Sequence, residues 1–213
     1  MEIDAASADL LVRALHGWIM GPSAPNEGSR TGDGQSGQGV EMVDWVSTDG
    51  DVVCSIPRHL VHAHNVLHRG VGILVTNDKG AIYCHQRSAS KRVFPSLYDM
   101  FIGGVSASGE TARDTAIREL GEELDLGKCP ELLEQQFRCI VETQSNHCVV
   151  EVFDYACGQG EEVAWRDGEV VWGAYLEWEE VGKRVQGGEW EFVPDGLQVW
   201  ESYLEWRAGA REG

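Results

Sequence analysis

The spacing of apolar residues changes several times along the chain, and each change marks the start of an element. Residues 5–20, AASADLLVRALHGWIM, place apolar side chains at helical spacing and predict one short amphipathic helix. Residues 21–39 switch to Gly, Ser, Pro, Asn and Gln, which bury too little apolar surface to offset the entropy of ordering them, and predict a flexible linker or long loop. Alternation then sets in across GVEMVDWVSTDGDVVCSI, a strand signal around the turn dipeptide Asp49-Gly50. Arg58 to Val66 reads as a helix or helical turn, and GVGILVTNDKGAIYCHQRS gives two strands around Asn77-Asp78-Lys79-Gly80.

The middle of the chain carries a helical period in GVSASGETARDTAIRELGEELDL, residues 104–126, behind a glycine-rich lead-in. Strand-like runs follow at 137–141 and 148–157, and GEVVWGAYLEWEEV at 168–181 reads as a strand running into a helical turn. Pro194-Asp195 introduces a last helix over 196–207, with proline near the first turn where helix starts favour it. Strands mixed with two or three helices, one of them central, fit the α/β class as an α/β/α sandwich around a mixed sheet.

With 213 residues, 42% hydrophobic and 24% charged, the chain is long enough for one sizeable core. Its formal net charge of −18 argues against a general nucleic-acid binder, whose affinity rests on lysine and arginine contacts to phosphates. Any anionic substrate must be recruited by local positive charge and by metal. The six cysteines show no CxxC spacing, so reduced thiols are expected, and no apolar run approaches a membrane span. Glu2, Asp4 and Asp9 are wrong for a transit peptide and no secretory signal is visible, which makes the cytoplasm the expected compartment. The 5–20 helix either caps the domain or makes a partner contact, a homodimer included.

On the central helix, Glu119, Glu122 and Glu123 are related by three and four positions and share one arc. Two carboxylates about 5.5 Å apart repel by roughly 3 kcal/mol at an effective dielectric near 20. A hard cation relieves that repulsion, and oxygen-only ligands suit Mg²⁺ or Mn²⁺ better than Zn²⁺. Ala116, Ile117, Leu120 and Leu124 form the arc that anchors the helix, and Arg118 stands four residues before Glu122, within reach to orient it. An amphipathic helix with a solvated acidic face is the alternative. The histidines at 59, 62, 64 and 68 do not follow a zinc spacing and read as structural.

Gly104, Glu110, Arg118, Glu119, Leu120, Glu122, Glu123 and Leu126 together resemble the Nudix box in register. One position departs: Asp125 stands where that box has glycine, and Asp is among the residues that tolerate a left-handed conformation. The resemblance implies the sandwich fold, a domain over residues 41–207 between an N-terminal helix and linker (1–40) and a tail (208–213), and a small phosphorylated substrate. It further implies a Mg²⁺ (or Mn²⁺) site of Glu119, Glu122, Glu123 and the Gly103 carbonyl, with Arg118 orienting the carboxylates.

His64 to Arg69, Asn77 to Gly80, Gln86-Arg87-Ser88, Lys91 and Pro95 resemble the isopentenyl-diphosphate-isomerase-like branch of these hydrolases. That branch places phosphate-contacting cations at Arg87 and Lys91 and a loop acid at Glu169. Isomerases of the branch carry a catalytic cysteine where this chain has Gly103 and a metal-binding histidine where it has Val105. Hydrolysis of a diphosphate, in a nucleoside diphosphate linked to another moiety, is therefore expected, with Glu169 or Glu122 as general base. Isomerisation and a catalytically weak binding or regulatory module are the alternatives, the latter favoured by Asp125, Gly121 and Trp172.

Overall fold

The computed structural model describes residues 40–158, 160–165 and 168–210, so the helix and linker read at 5–39 lie outside the described residues. The chain divides into two units, Met1–Glu41 and Met42–Gly213. The second is built from β1 (Met42–Val46), β2 (Val52–Pro57), α1 (Arg58–His64), β3 (His68–Thr76), β4 (Ile82–Arg87), β5 (Tyr98–Asp99), β6 (Ile102–Val105), α2 (Ala112–Leu124), β7 (Leu133–Glu142), β8 (His147–Ala156), β9 (Val170–Leu176), α3 (Trp178–Gly187) and α4 (Pro194–Ala210).

β3 is the hub of a mixed sheet. It pairs in parallel with β8 from His68↔Cys148 to Thr76↔Ala156, and antiparallel with β6 from Gly70↔Val105 to Ile73↔Ile102. β4 continues the sheet and carries β5 and β9, both antiparallel, while β7 lies outside β8. Because side chains alternate across a strand, the nearly unbroken apolar run of β3 supplies two cores. Val71, Ile73 and Val75 meet Ala116, Leu120 and Leu124 of α2, whereas Leu74 belongs with Val199, Trp200 and Tyr203 of α4. Helices on both faces are thereby accounted for, and the α/β/α layering expected from the sequence is the observed one.

α2 is bounded as its sequence requires. Thr111 caps its start, the side chain accepting from the Asp114 amide at 3.1 Å. Asp125 ends it in the left-handed region at φ 56°, ψ 27°, so the aspartate takes the conformation that the box glycine would. α4 runs to Ala210, past the residue 207 where periodicity places its end, and Arg207 stacks on Trp178 with its guanidinium carbon 3.7 Å from the ring centre. The six cysteines are unpaired. Among the described residues, no helix is long and apolar enough to cross a membrane.

Candidate active site

The carboxylate face of α2 forms one wall of a cleft of about 870 Å³, which residues of α1, β3, β5, β6, β7 and β8, the loop after β4 and the start of α4 also line. Glu119 and Glu123 are buried at 9% and 6% exposure, while the Glu122 side chain is 57% exposed, so the acidic arc is graded from floor to rim. Burial raises the Glu119 carboxyl above its ordinary range, and Arg118 offsets only part of that.

Arg118 holds the wall together. Its Nη1 donates to Glu119 at 2.7 Å and to Glu122 at 3.0 Å, its Nε to Glu110 at 3.0 Å, and its Nη2 to the Val105 carbonyl at 3.2 Å. A planar fork that reaches four groups is a task lysine could not perform. Burial alone would raise Glu110, but hydrogen bonds from Arg118 and the Ala107 amide hold its carboxyl below the ordinary range.

The loop between β6 and α2 is fixed from the other side by Asp44 of β1. Asp44 accepts from the Ser108 hydroxyl at 2.7 Å and the Gly109 amide at 3.1 Å, and ion-pairs with Arg69 at 3.3 Å.

Two adjacent glycines of β6 admit this packing. A Cβ on Gly104 would stand 2.0 Å from Glu119 Oε1, and one on Gly103 would stand 2.3 Å from the Val71 carbonyl oxygen. Gly104 thus makes room for a carboxylate and Gly103 for the neighbouring strand.

The remaining expected residues also line the cleft. Lys91 forms an ion pair with Glu169 and stands 3.8 Å from Glu123, which links the loop acid to the helix carboxylates. Arg87 also braces the loop after β4: Nε donates to the Phe94 carbonyl at 3.2 Å and Nη2 to the Val93 carbonyl at 3.1 Å. Two of its guanidinium nitrogens thereby secure the loop that carries Lys91 and Arg92. Among the described residues, no three His, Cys, Asp or Glu side chains stand close enough together to hold an ion as placed. Glu119 and Glu122 are drawn onto Arg118 and Glu123 faces Lys91. His59, His62 and His68 all line the cleft, the His62 and His68 rings meeting edge to face at 5.9 Å, and His68 is buried with Nδ1 against the Val66 carbonyl.

Sequence reasoning missed the far end of the cleft. Asp99 is 8% exposed, accepts from the amides of Met100 at 2.8 Å and Phe101 at 3.0 Å, and has its carboxyl pushed up to about 7 by burial. Asp195 lies nearby, held by the Asn146 amide at 2.8 Å. The one available signal for Asp99 was a lone acid in the otherwise apolar Leu97–Ile102 run.

The NUDIX domain family model matches residues 66–196, which spans β3 to the start of α4. The chain is 34% identical over 169 residues to an uncharacterised Nudix hydrolase of Streptomyces coelicolor, covering 76% of this chain and 88% of that one. To one of Rhodococcus erythropolis it is 32% identical over 161 residues, covering 73% and 87%. Among solved structures, DR0079 from Deinococcus radiodurans superposes with a TM-score of 0.64 at 23% identity, over 76% of this chain and 99% of that one. The NUDIX domain of Shewanella oneidensis NrtR, solved with ADP ribose, superposes at 0.50 with 16% identity, over 70% and 98%. With the family's fold over most of its length and the box residues gathered on one cleft wall, this chain belongs to the Nudix hydrolases, enzymes that cleave phosphorus anhydrides.

Proposed function

We propose that the protein is a Mg²⁺- or Mn²⁺-dependent hydrolase of a diphosphate bond in a nucleoside diphosphate linked to another moiety. The observation that carries this reading is the Arg118 hub, which holds Glu119 and Glu122 on the cleft wall beside the buried Glu123. The donor set fits a hard divalent ion: three carboxylates and the backbone of Gly103 line the same cleft, with oxygen as the only donor element. Such an ion, when bound, neutralises phosphate oxygens and stabilises the charge that develops on them in the transition state.

The chain's own residues do the rest. Arg118 sets the directions of the carboxylates, and Lys91 presents positive charge between Glu123 and Glu169. Glu169 or Glu122 accepts the proton of the attacking water, whose oxygen bonds to phosphorus as the bridging P–O bond breaks and the leaving phosphate carries away the electron pair. Isomerisation is disfavoured because Gly103 occupies the thiol's position and the Val71 carbonyl leaves no room there for a Cβ.

The test is a Mg²⁺-dependent phosphate-release screen over nucleoside triphosphates, dinucleotides, nucleotide sugars, CoA, ADP-ribose and isoprenoid diphosphates. Cleavage of nucleoside-diphosphate-linked compounds that is lost in EDTA is expected. Tight binding without turnover would point instead to a binding or regulatory module, and conversion of isopentenyl to dimethylallyl diphosphate at a comparable rate would restore the isomerase.

A further inference from the structure

Two cations neutralise the acidic wall, and they are held in different ways. Arg118 serves Glu110, Glu119 and Glu122 and is locked by a further bond to the Val105 carbonyl. Lys91 serves Glu123 and Glu169 from the end of a flexible four-carbon stem, as a compact charge with no planar fork to fix its direction. Its side chain is 17% exposed and that of Glu123 8%, so little water screens this pair, whereas Glu169 is 41% exposed.

The backbone beneath Lys91 is tied at several points. The Lys91 amide donates to the Ser88 carbonyl at 3.1 Å, the Ser88 amide to the Glu169 carbonyl at 2.7 Å, and Arg87 donates to the carbonyls of Val93 and Phe94. Movement of the ammonium is therefore a rotation of the side chain over a fixed loop. Glu123 meets two demands, as a carboxylate of the proposed divalent-ion site and as the buried partner of Lys91. Like charges a few ångströms apart on a half-buried wall repel, and the ion of higher charge gains more from three carboxylates.

We propose that Lys91 is a displaceable counter-ion: its ammonium bridges Glu123 and Glu169 until a divalent ion binds the α2 carboxylates, then swings into the cleft and uncovers Glu169. The proposal rests on the divalent-ion reading of the α2 carboxylates. A carboxylate oxygen held by an ammonium is not open to a proton from water, so Glu169 becomes competent as a base only once the ion is in place. The displaced ammonium then faces the cleft, where an anionic substrate can meet it. Linkage makes the effect reciprocal: if the ion loosens Lys91 from Glu123, Lys91 weakens binding of the ion by the same factor.

The test reads Lys91 directly, in the full chain and without substrate. Acetylation by an N-hydroxysuccinimide ester, quantified by peptide mass spectrometry, requires an amine that has left its ion pair, and Lys79, exposed in the β3–β4 turn, is the internal standard. Saturating Mg²⁺ should raise labelling of Lys91 relative to Lys79 by at least about fivefold, and sodium chloride of equal ionic strength should not. By calorimetry, Lys91→Met should bind Mg²⁺ about tenfold more tightly than the unaltered chain. Unchanged labelling at saturating Mg²⁺, an equal rise in sodium chloride, or an Mg²⁺ affinity in Lys91→Met that is the same or weaker would overturn the proposal. The labelling uses the unaltered chain, so a variant that fails to fold does not protect the idea. Release of Lys91 as expected, with no phosphate released from any compound in the screen, would sink the hydrolase reading alone. Mg²⁺-dependent phosphate release with Lys91 still protected would sink this proposal alone.

Discussion

Gly103 and Gly104 are neighbours on β6, yet alanine at each should fail in a different way. At Gly104 the added Cβ meets Glu119 Oε1 at 2.0 Å, the same oxygen that Arg118 Nη1 holds at 2.7 Å. Restoring a contact of about 3.5 Å requires the carboxylate to retreat by about 1.5 Å, which stretches the Arg118 bond past hydrogen-bonding distance. A charge-assisted bond contributes about 1.5–3 kcal/mol. Because the Arg118 side chain is 34% exposed, solvent screening reduces this, and we expect a loss of only about 1 kcal/mol, or about 2–4 °C in Tm.

At Gly103 the obstacle is the Val71 carbonyl oxygen at 2.3 Å, which belongs to the paired backbone of β3 and cannot swing aside. Gly103→Ala must open the β3–β6 ladder, at a cost of about 3 kcal/mol or more and a Tm lower by about 6–12 °C. Thermal melts followed by circular dichroism, together with Mg²⁺-dependent phosphate release, separate the two. Gly104→Ala should remain folded and lose about 10²-fold in kcat, since Glu119 leaves its place on the cleft wall. Full activity in Gly104→Ala, or a melting loss as large as that of Gly103→Ala, would refute the reasoning.

The general base divides cleanly by substitution: Glu169→Gln should lower kcat by about 10²-fold at unchanged Mg²⁺ affinity. Preserved turnover there, with loss in Glu122→Gln at saturating Mg²⁺, would move the base to α2. Asp99, raised from 3.8 to about 7 by burial, holds its proton in the folded chain where the unfolded chain has lost it. Its burial therefore costs nothing below about pH 4, an increasing amount from there to about pH 7, and a constant amount above. Asp99→Asn should accordingly raise Tm at pH 8 and give no gain near pH 3.5, and a pH-independent difference would count against the buried carboxyl. Removing residues 1–39 should leave a folded, active domain beginning at Val40, in line with a division of the chain near residue 41. A large loss of melting temperature or turnover, or a change of oligomeric state by size exclusion, would show that the first segment completes the domain or a homodimer.

Local chemistry by itself determined a good part of this protein. The apolar run of β3, the Asn77 to Gly80 turn and the three-and-four spacing of α2 each encode which way side chains face within one short element. So does Asp125, whose side chain tolerates the left-handed exit that the backbone takes at φ 56°. Arg118 and Glu122 could be paired from sequence because one helical turn separates them, and they stand at 3.0 Å. Contacts between distant segments had no such local signature. The parallel β3–β8 pairing joins residues 80 positions apart, as at His68↔Cys148, and only closure of the whole sheet selects it. Asp44 reaches Ser108, Asn146 reaches Asp195, and Gly104 yields to Glu119 because three-dimensional packing brings those backbones together. Arg87 shows the limit most plainly: its charge was legible, but which oxygens would accept its hydrogen bonds depended on how the loop at 93–94 folded back. Periodicity fixes the faces of single elements, whereas the burial that raises Asp99 and leaves Asp195 Oδ1 without a partner arises only when several elements close on one cleft.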